Sequence, residues 1–268
     1  MRKVDKKEKS AIIRAFVKEF MLLMQTNKGL QISISDFSIF KLAHSSLQRV
    51  NGFHWENDLS KVDRFDLILG DLPIGMNRVD FAFGSKTRKI RRNWIQILKS
   101  VDYLNENGKA IFLIEPSGFN TLEGIKLEEI LNSKGYYVNA IFNMPEGILM
   151  PEICIVPVLI LVTKKQTKSI FVAELLDESQ SKQVANNYYS GKVVGDLIQG
   201  MEIEPKGFHG FKNIKIKQQI ERLETQYKEY EECKFEEIIK EIHTVIKDSN
   251  HFVEKQNSIY VPKTIYIK

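Results

Sequence analysis

The chain has 268 residues, 43% hydrophobic and 27% charged, enough for one sizeable core plus an appendage and ordinary for a globular protein. Cys154 and Cys233 and the five histidines show no disulfide, zinc or other metal-ligand spacing, so no metal is expected and a reducing, cytoplasmic setting fits. The most apolar run, 153–162, is about half of the roughly 20 residues a bilayer crossing requires, so no membrane partner is expected, and a net charge of +5 is too mild to name a partner by itself.

Ala11 to Met24 places Ile12, Ala15, Phe16, Phe20 and Leu23 at three- and four-residue steps, the pattern of a helix whose apolar stripe needs a partner. After a turn at Asn27-Lys28-Gly29, Leu30 to Ser35 alternates like a half-buried strand, and Phe37 to Val50 reads as a second helix. From Arg64 to Val172 strands and helices alternate, and near-continuous leucine and β-branched runs in the strands predict a parallel sheet covered on both faces. The strand Phe65 to Gly70 stops at Asp71-Leu72-Pro73-Ile74, which places Asp71 where open α/β sheets bind ligands; an ordinary polar strand-to-loop turn also explains the pattern. Lys86, Arg88, Lys89, Arg91 and Arg92 follow, either a phosphate-contacting cluster or a solvated loop and helix start.

Trp94, Ile97, Leu98, Val101 and Leu104 share one face of a helix, with Gln96, Lys99 and Asp102 off it, so Trp94 reads as core. Lys109 to Glu115 is a strand, Leu122 to Ser133 a helix ended by Gly135, and Tyr137 to Phe142 and Val156 to Thr163 are further strands. Beyond Leu176 a polar stretch from Asp177 to Asn187 and five glycines, ending at Gly210, read as a connector with little secondary structure. Ile216, Ile220, Leu223, Tyr227 and Tyr230 then form a heptad seam of about two repeats, and Phe235, Ile238, Ile239, Ile242 and Val245 a second run. Two short helices or one long one fit equally, packing on a partner or on the α/β domain. Residues 257–268 are strand-like, and the chain reads as a piece of something longer. The expected organisation is an N-terminal segment, 1–60, an α/β core, 61–177, and a connector with a helical region, 178–268.

Asp71-Leu72-Pro73-Ile74, preceded by Phe-Asp-Leu-Ile-Leu-Gly, resembles the Asn/Asp-Pro-Pro-Tyr/Phe motif of N6-adenine DNA methyltransferases. The next hundred residues keep the order of the modification subunit of type I restriction systems: the helix from Trp94, the turn Asn107-Gly108, the strand to Glu115, Pro116-Ser117-Gly118-Phe119, and the strand leading to Met144-Pro145-Glu146-Gly147. This resemblance implies a Rossmann-like class I methyltransferase α/β sheet, partial or degenerate, with a helical N-terminal segment and a C-terminal helical extension. It implies S-adenosylmethionine as methyl donor, DNA as partner, and a specificity or restriction subunit docked on the C-terminal helices.

In that family the Asn/Asp side chain and the next backbone carbonyl accept the two protons of the target amine, and the aromatic residue stacks on the flipped base. Asp71 and the carbonyl of Leu72 keep the acceptors, while Ile74 lacks an aromatic face and Leu72 removes a proline that stiffens the turn. A donor site of this class needs a glycine-rich turn after the first strand and an acidic residue ending the next. Upstream of Phe65 the only glycines are Gly29 and Gly52. Two readings follow: an adenine-specific methyltransferase acting through Asp71, or a non-catalytic DNA-binding or assembly module that has lost the donor site.

Overall fold

A computed structural model describes residues 6–33, 40, 46–51, 54–116, 126–149, 154–205, 208–228, 231–234 and 264–267. In chain order they form α1 (Lys6–Met24), β1 (Gly29–Ser33), β2 (Leu47–Asn51), β3 (Phe65–Asp71), the hairpin strands β4 (Arg78–Phe83) and β5 (Lys86–Arg91), α2 (Arg92–Ser100), β6 (Leu104–Ile114) and α3 (Leu127–Ser133). Then come β7 (Tyr137–Asn143), β8 (Val158–Thr163), β9 (Ile170–Glu174), α4 (Glu178–Ser190), β10 (Met201–Ile203), α5 (Phe211–Gln226), β11 (Glu231–Lys234) and β12 (Thr264–Ile267). Residues 1–211 make one compact unit and 212–268 a second.

Eight strands build one sheet in the order β2-β1-β3-β6-β8-β7-β9-β10. The β1·β2, β1·β3, β3·β6 and β7·β9 pairings are parallel, whereas β8 runs antiparallel between β6 and β7, and β10 antiparallel to β9. The expected all-parallel sheet is corrected at β8, because an apolar run such as Val158–Thr163 encodes burial and not direction.

Successive side chains of a strand face opposite ways, and this divides the core. Leu67 and Leu69 of β3 and Ile111 and Leu113 of β6 pack with Phe16 and Phe20 of α1 and Val184 and Ala185 of α4. Phe16 and Phe142 meet at 4.6 Å between ring centroids, so the N-terminal stripe finds its partner on this face. The even-numbered side chains, Ile68, Ala110, Phe112 and Ile114, leave for the other face, where the crossover helices α2 and α3 bury Trp94, Ile97, Leu98, Leu127, Ile130 and Leu131.

Four expectations change. The strand at Leu30 is not half-buried: β1 lies inside the sheet and Gln31 is 4% exposed, so its polar alternation does not mark a wet face. The helix expected over Phe37–Val50 ends in strand β2; residues 37–39 and 41–45 of it lie outside the described residues. The supposed connector after Asp177 is helix α4, capped by the Asp177 side chain accepting from Gln180 N at 2.9 Å and closed by Gly191 at φ 70°. Gln96, expected off the buried face, is buried and accepts from Trp55 Nε1 at 2.8 Å. In the second unit the heptad seam is helical to Gln226; the second run, 235–245, and residues 117–125 lie outside the described residues, and the strand expected near the end is β12.

Candidate functional site

The chain leaves β1 for β2 on one side and returns to β3 on the other. The carboxyl ends of β1 and β3 therefore flank the point where winding reverses, the place where doubly wound sheets open a crevice. Ser33 and Asp71 are register partners at that point, and Asp71 is half-buried there. Asp71 is the last residue of β3. Its neighbours face inward: Leu72 is 1% exposed, and Ile74 is partly buried against the core cluster beneath the sheet. Pro73 leads into Gly75, whose φ of 81° carries the chain through a left-handed turn with open space around it.

Gly70, just before Asp71, serves packing. A Cβ there would stand 2.4 Å from a ring carbon of Phe112, so the residue is small because the neighbouring strand's phenylalanine lies across it.

Glu115, one residue beyond β6, forms the next wall. It is 2% exposed and accepts from Arg91 Nε at 2.8 Å and Trp94 Nε1 at 3.0 Å through Oε1, and from Asn93 Nδ2 at 3.1 Å through Oε2. A buried carboxylate is tolerable only when its lone pairs are met in this way. The network fixes the base of the β4–β5 hairpin and the first turn of α2 to the end of the sheet. Trp94 is core, as its spacing predicts, and its indole N–H anchors Glu115.

The basic cluster is split by this arrangement. The Arg91 guanidinium is committed to Glu115, whereas Lys86, Arg88 and Lys89 on β5, and Arg92 at the start of α2, are exposed. The expected loop is the strand of a hairpin. Its turn, Gly84-Ser85, has φ 59° at the glycine, as tight two-residue hairpin turns require. Directly opposed residues share a face, so Phe81 stands beside Arg88 and Phe83 beside Lys86. Both rings are half-buried. Sequence reasoning did not single out Phe81 and Phe83, although Val79-x-Phe81-x-Phe83 before Gly84-Ser85 is a hairpin signal.

On the other side of the switch point the stretch following β1, 34–46, contains no glycine, the residue that lets a donor's chain approach the backbone closely; residues 34–39 and 41–45 of it lie outside the described residues. Strand β2 ends at Asn51 and not at a carboxylate that could take ribose hydroxyls. Among the described residues no group of three His, Cys, Asp or Glu is placed to hold a metal ion, and no helix is long and apolar enough to cross a membrane.

No family model and no curated protein matches the sequence. Solved structures match the fold. The type IIG restriction endonuclease BpuSI aligns at a TM-score of 0.51 and 9% identity over 87% of this chain and 36% of its own. A Vibrio vulnificus YJ016 protein assigned as the modification subunit of a type I restriction enzyme aligns at 0.50 and 13% identity, over 71% of this chain and 54% of its own. A Listeria monocytogenes protein assigned as a class I S-adenosylmethionine-dependent methyltransferase aligns at 0.47 and 13%, over 69% and 70%. The chain spans about half the length of the modification subunit it matches. The likeness to the modification subunit and to BpuSI is one of fold: a mixed α/β architecture around a large, mostly parallel sheet.

Proposed function

We propose that this chain is a methyltransferase-like module of a restriction–modification assembly that contacts DNA and a partner subunit without binding a methyl donor of its own. The observation that carries the reading is the asymmetry of the crevice. Asp71 stands at the switch point, while the stretch that follows β1 in sequence, 34–46, has no glycine and β2 ends at Asn51. The hairpin supplies the DNA contact: cations for phosphates, and Phe81 and Phe83 as stacking surfaces beside them. Exposed Ile216, Ile220 and Leu223, at four- and three-residue steps on α5, supply the subunit contact.

Calorimetric titration with S-adenosylmethionine tests the donor claim. No saturable heat at millimolar ligand is expected, and micromolar binding would overturn it. For DNA, Lys86→Ala/Arg88→Ala/Lys89→Ala should lower the slope of log affinity against log salt by about 2 to 3, since each phosphate that the protein no longer neutralises removes about 0.9. An unchanged slope removes the hairpin from the interface.

The position of Asp71 favours a second reading, adenine methylation by the assembled complex. Asp71 Oδ and the Leu72 carbonyl would then accept the two amine protons and free the nitrogen lone pair. Loss of methylation on Asp71→Ala in the reconstituted assembly, with DNA affinity retained, would establish this reading over the first.

A further inference from the structure

A second concavity lies at the opposite end of the sheet from Asp71, bounded by the start of β6, the β8–β9 turn and the end of α4. Its volume is about 720 Å³, within the roughly 300–1,000 Å³ of small-molecule sites. Lys109 is paired with Leu67, and Leu113 with Asp71, so four strand residues, roughly 13 Å, separate the two levels. The cavity is therefore not part of the crevice described above.

Its charge is unbalanced. Lys109 is half-buried in the wall, and burial together with the charge of Lys165 holds its ammonium below the usual lysine range, with no carboxylate acting on it. The nearby acids do not answer it: Glu106 pairs with Lys164 at 3.3 Å, and Glu202 is exposed. The C-terminal end of α4 could itself favour a cation. Its last carbonyls are already taken, however: Asn187 O by Lys192 N and Ser190 Oγ, and Tyr188 O by Gly191 N.

The rest of the wall suits a ligand that is polar at one end and flat at the other. Phe171 and Tyr188 stand 5.5 Å apart as an edge-to-face pair, and Tyr189 lies beside Lys109, 6.0 Å from Nζ to the ring. Lys165 is presented by a locked turn, its N–H donating to Thr163 Oγ1 at 3.1 Å and its carbonyl accepting from Asn139 Nδ2 and Thr163 Oγ1, each at 3.0 Å.

We infer that this cavity binds a small phosphorylated aromatic compound of nucleotide size, with its phosphate between Lys109 and Lys165 and its ring against Tyr188 and Tyr189. A phosphate dianion relieves the repulsion between two ammoniums in a way that a neutral ligand cannot. The site needs neither a methyl donor nor DNA.

AMP, adenosine and inorganic phosphate are the probes, titrated calorimetrically into the full chain. AMP should bind saturably, adenosine at least about tenfold more weakly, and inorganic phosphate should compete with AMP. Lys109→Met and Lys165→Met should each weaken AMP roughly tenfold, the loss expected of one charge-assisted contact. Lys109→Met should also raise Tm of the free protein, because it removes a desolvated charge facing a like charge; a lysine present only for structure would lower it. Absence of saturable AMP binding at millimolar concentration, equal affinity for AMP and adenosine, or an unchanged AMP affinity in Lys109→Met/Lys165→Met would each overturn the assignment.

Discussion

The two sides of the switch point are built to different standards. On the β3–β6 side an acid stands at the strand end, a glycine makes room for a packed ring, and a buried carboxylate ties the following hairpin and helix to the sheet. On the β1–β2 side the same sheet continues, but the chain that follows β1 has no glycine and β2 ends in an amide. The core cluster joins α1 and α4 to the central strands through apolar side chains, and Asp71 is not among them; architecture and site residues are separable in such a fold.

The largest expected effect concerns what holds the better-built side together. Glu115→Ala leaves the donors of Arg91, Asn93 and Trp94 without their acceptor inside the protein, and loss of one partner from such a buried network costs about 3–5 kcal/mol. Urea denaturation reads this directly. A loss under about 1 kcal/mol, the value of an exposed pair, would mean that the hairpin base is held by something else and would remove the contrast between the sides.

A smaller effect is expected one residue before the acid. Gly70→Ala pushes a methyl into the Phe112 ring, and overpacking of this kind costs about 1–3 kcal/mol. Phe112→Leu in the same chain should return part of that loss, since the clash is with the ring; if the double variant is no better than the sum of the singles, the glycine serves the backbone and not the neighbour.

These particulars also show which parts of the molecule could be read from sequence. β3, β6, β7 and β8 were legible because uninterrupted apolar runs leave few alternatives, and α1 and α2 because their stripes keep helical spacing. Strand direction was not legible, since β8 has the same composition either way round. β1 misled through Gln31, a polar residue buried inside the sheet, and α4 through its polar sequence, although Asp177 and Gly191 stand where an N-cap and a helix stop belong. The hairpin hid behind its charge: Lys86-Thr87-Arg88-Lys89 lacks the apolar alternation of a strand and acquires its structure from pairing with Arg78–Phe83. The position of Asp71 followed from the strand that carries it. The burial of Leu72 and Ile74 did not, because whether a side chain after a strand end turns inward depends on what the other elements leave open.

The smallest expected effect lies where the two sides touch. Beyond β2 a short 3-10 turn, Trp55–Asp58, meets α2: Trp55 donates to Gln96, its ring lies 5.6 Å from that of Tyr103, and Lys99 Nζ reaches Glu56 Oε1 at 2.6 Å. Burial alone would raise the Glu56 pKa, but the Lys99 hydrogen bond and charge, with backbone help, outweigh it and hold the carboxyl below its ordinary 4.5. A carboxyl with a depressed folded pKa stabilises fully above the unfolded value and loses that contribution as pH falls through the folded one. The pair should therefore help at neutral pH and stop helping in the range below 4.5, by no more than about 1 kcal/mol for a partly exposed ion pair. Glu56→Gln should flatten the fall of unfolding free energy between neutral and acidic pH by that amount, while Lys86→Met on the exposed strand of the hairpin should leave the curve unchanged. If Glu56→Gln leaves the acid limb as steep as before, the turn after β2 is joined to α2 by Trp55 alone, and the two sides of the sheet are coupled through packing without charge.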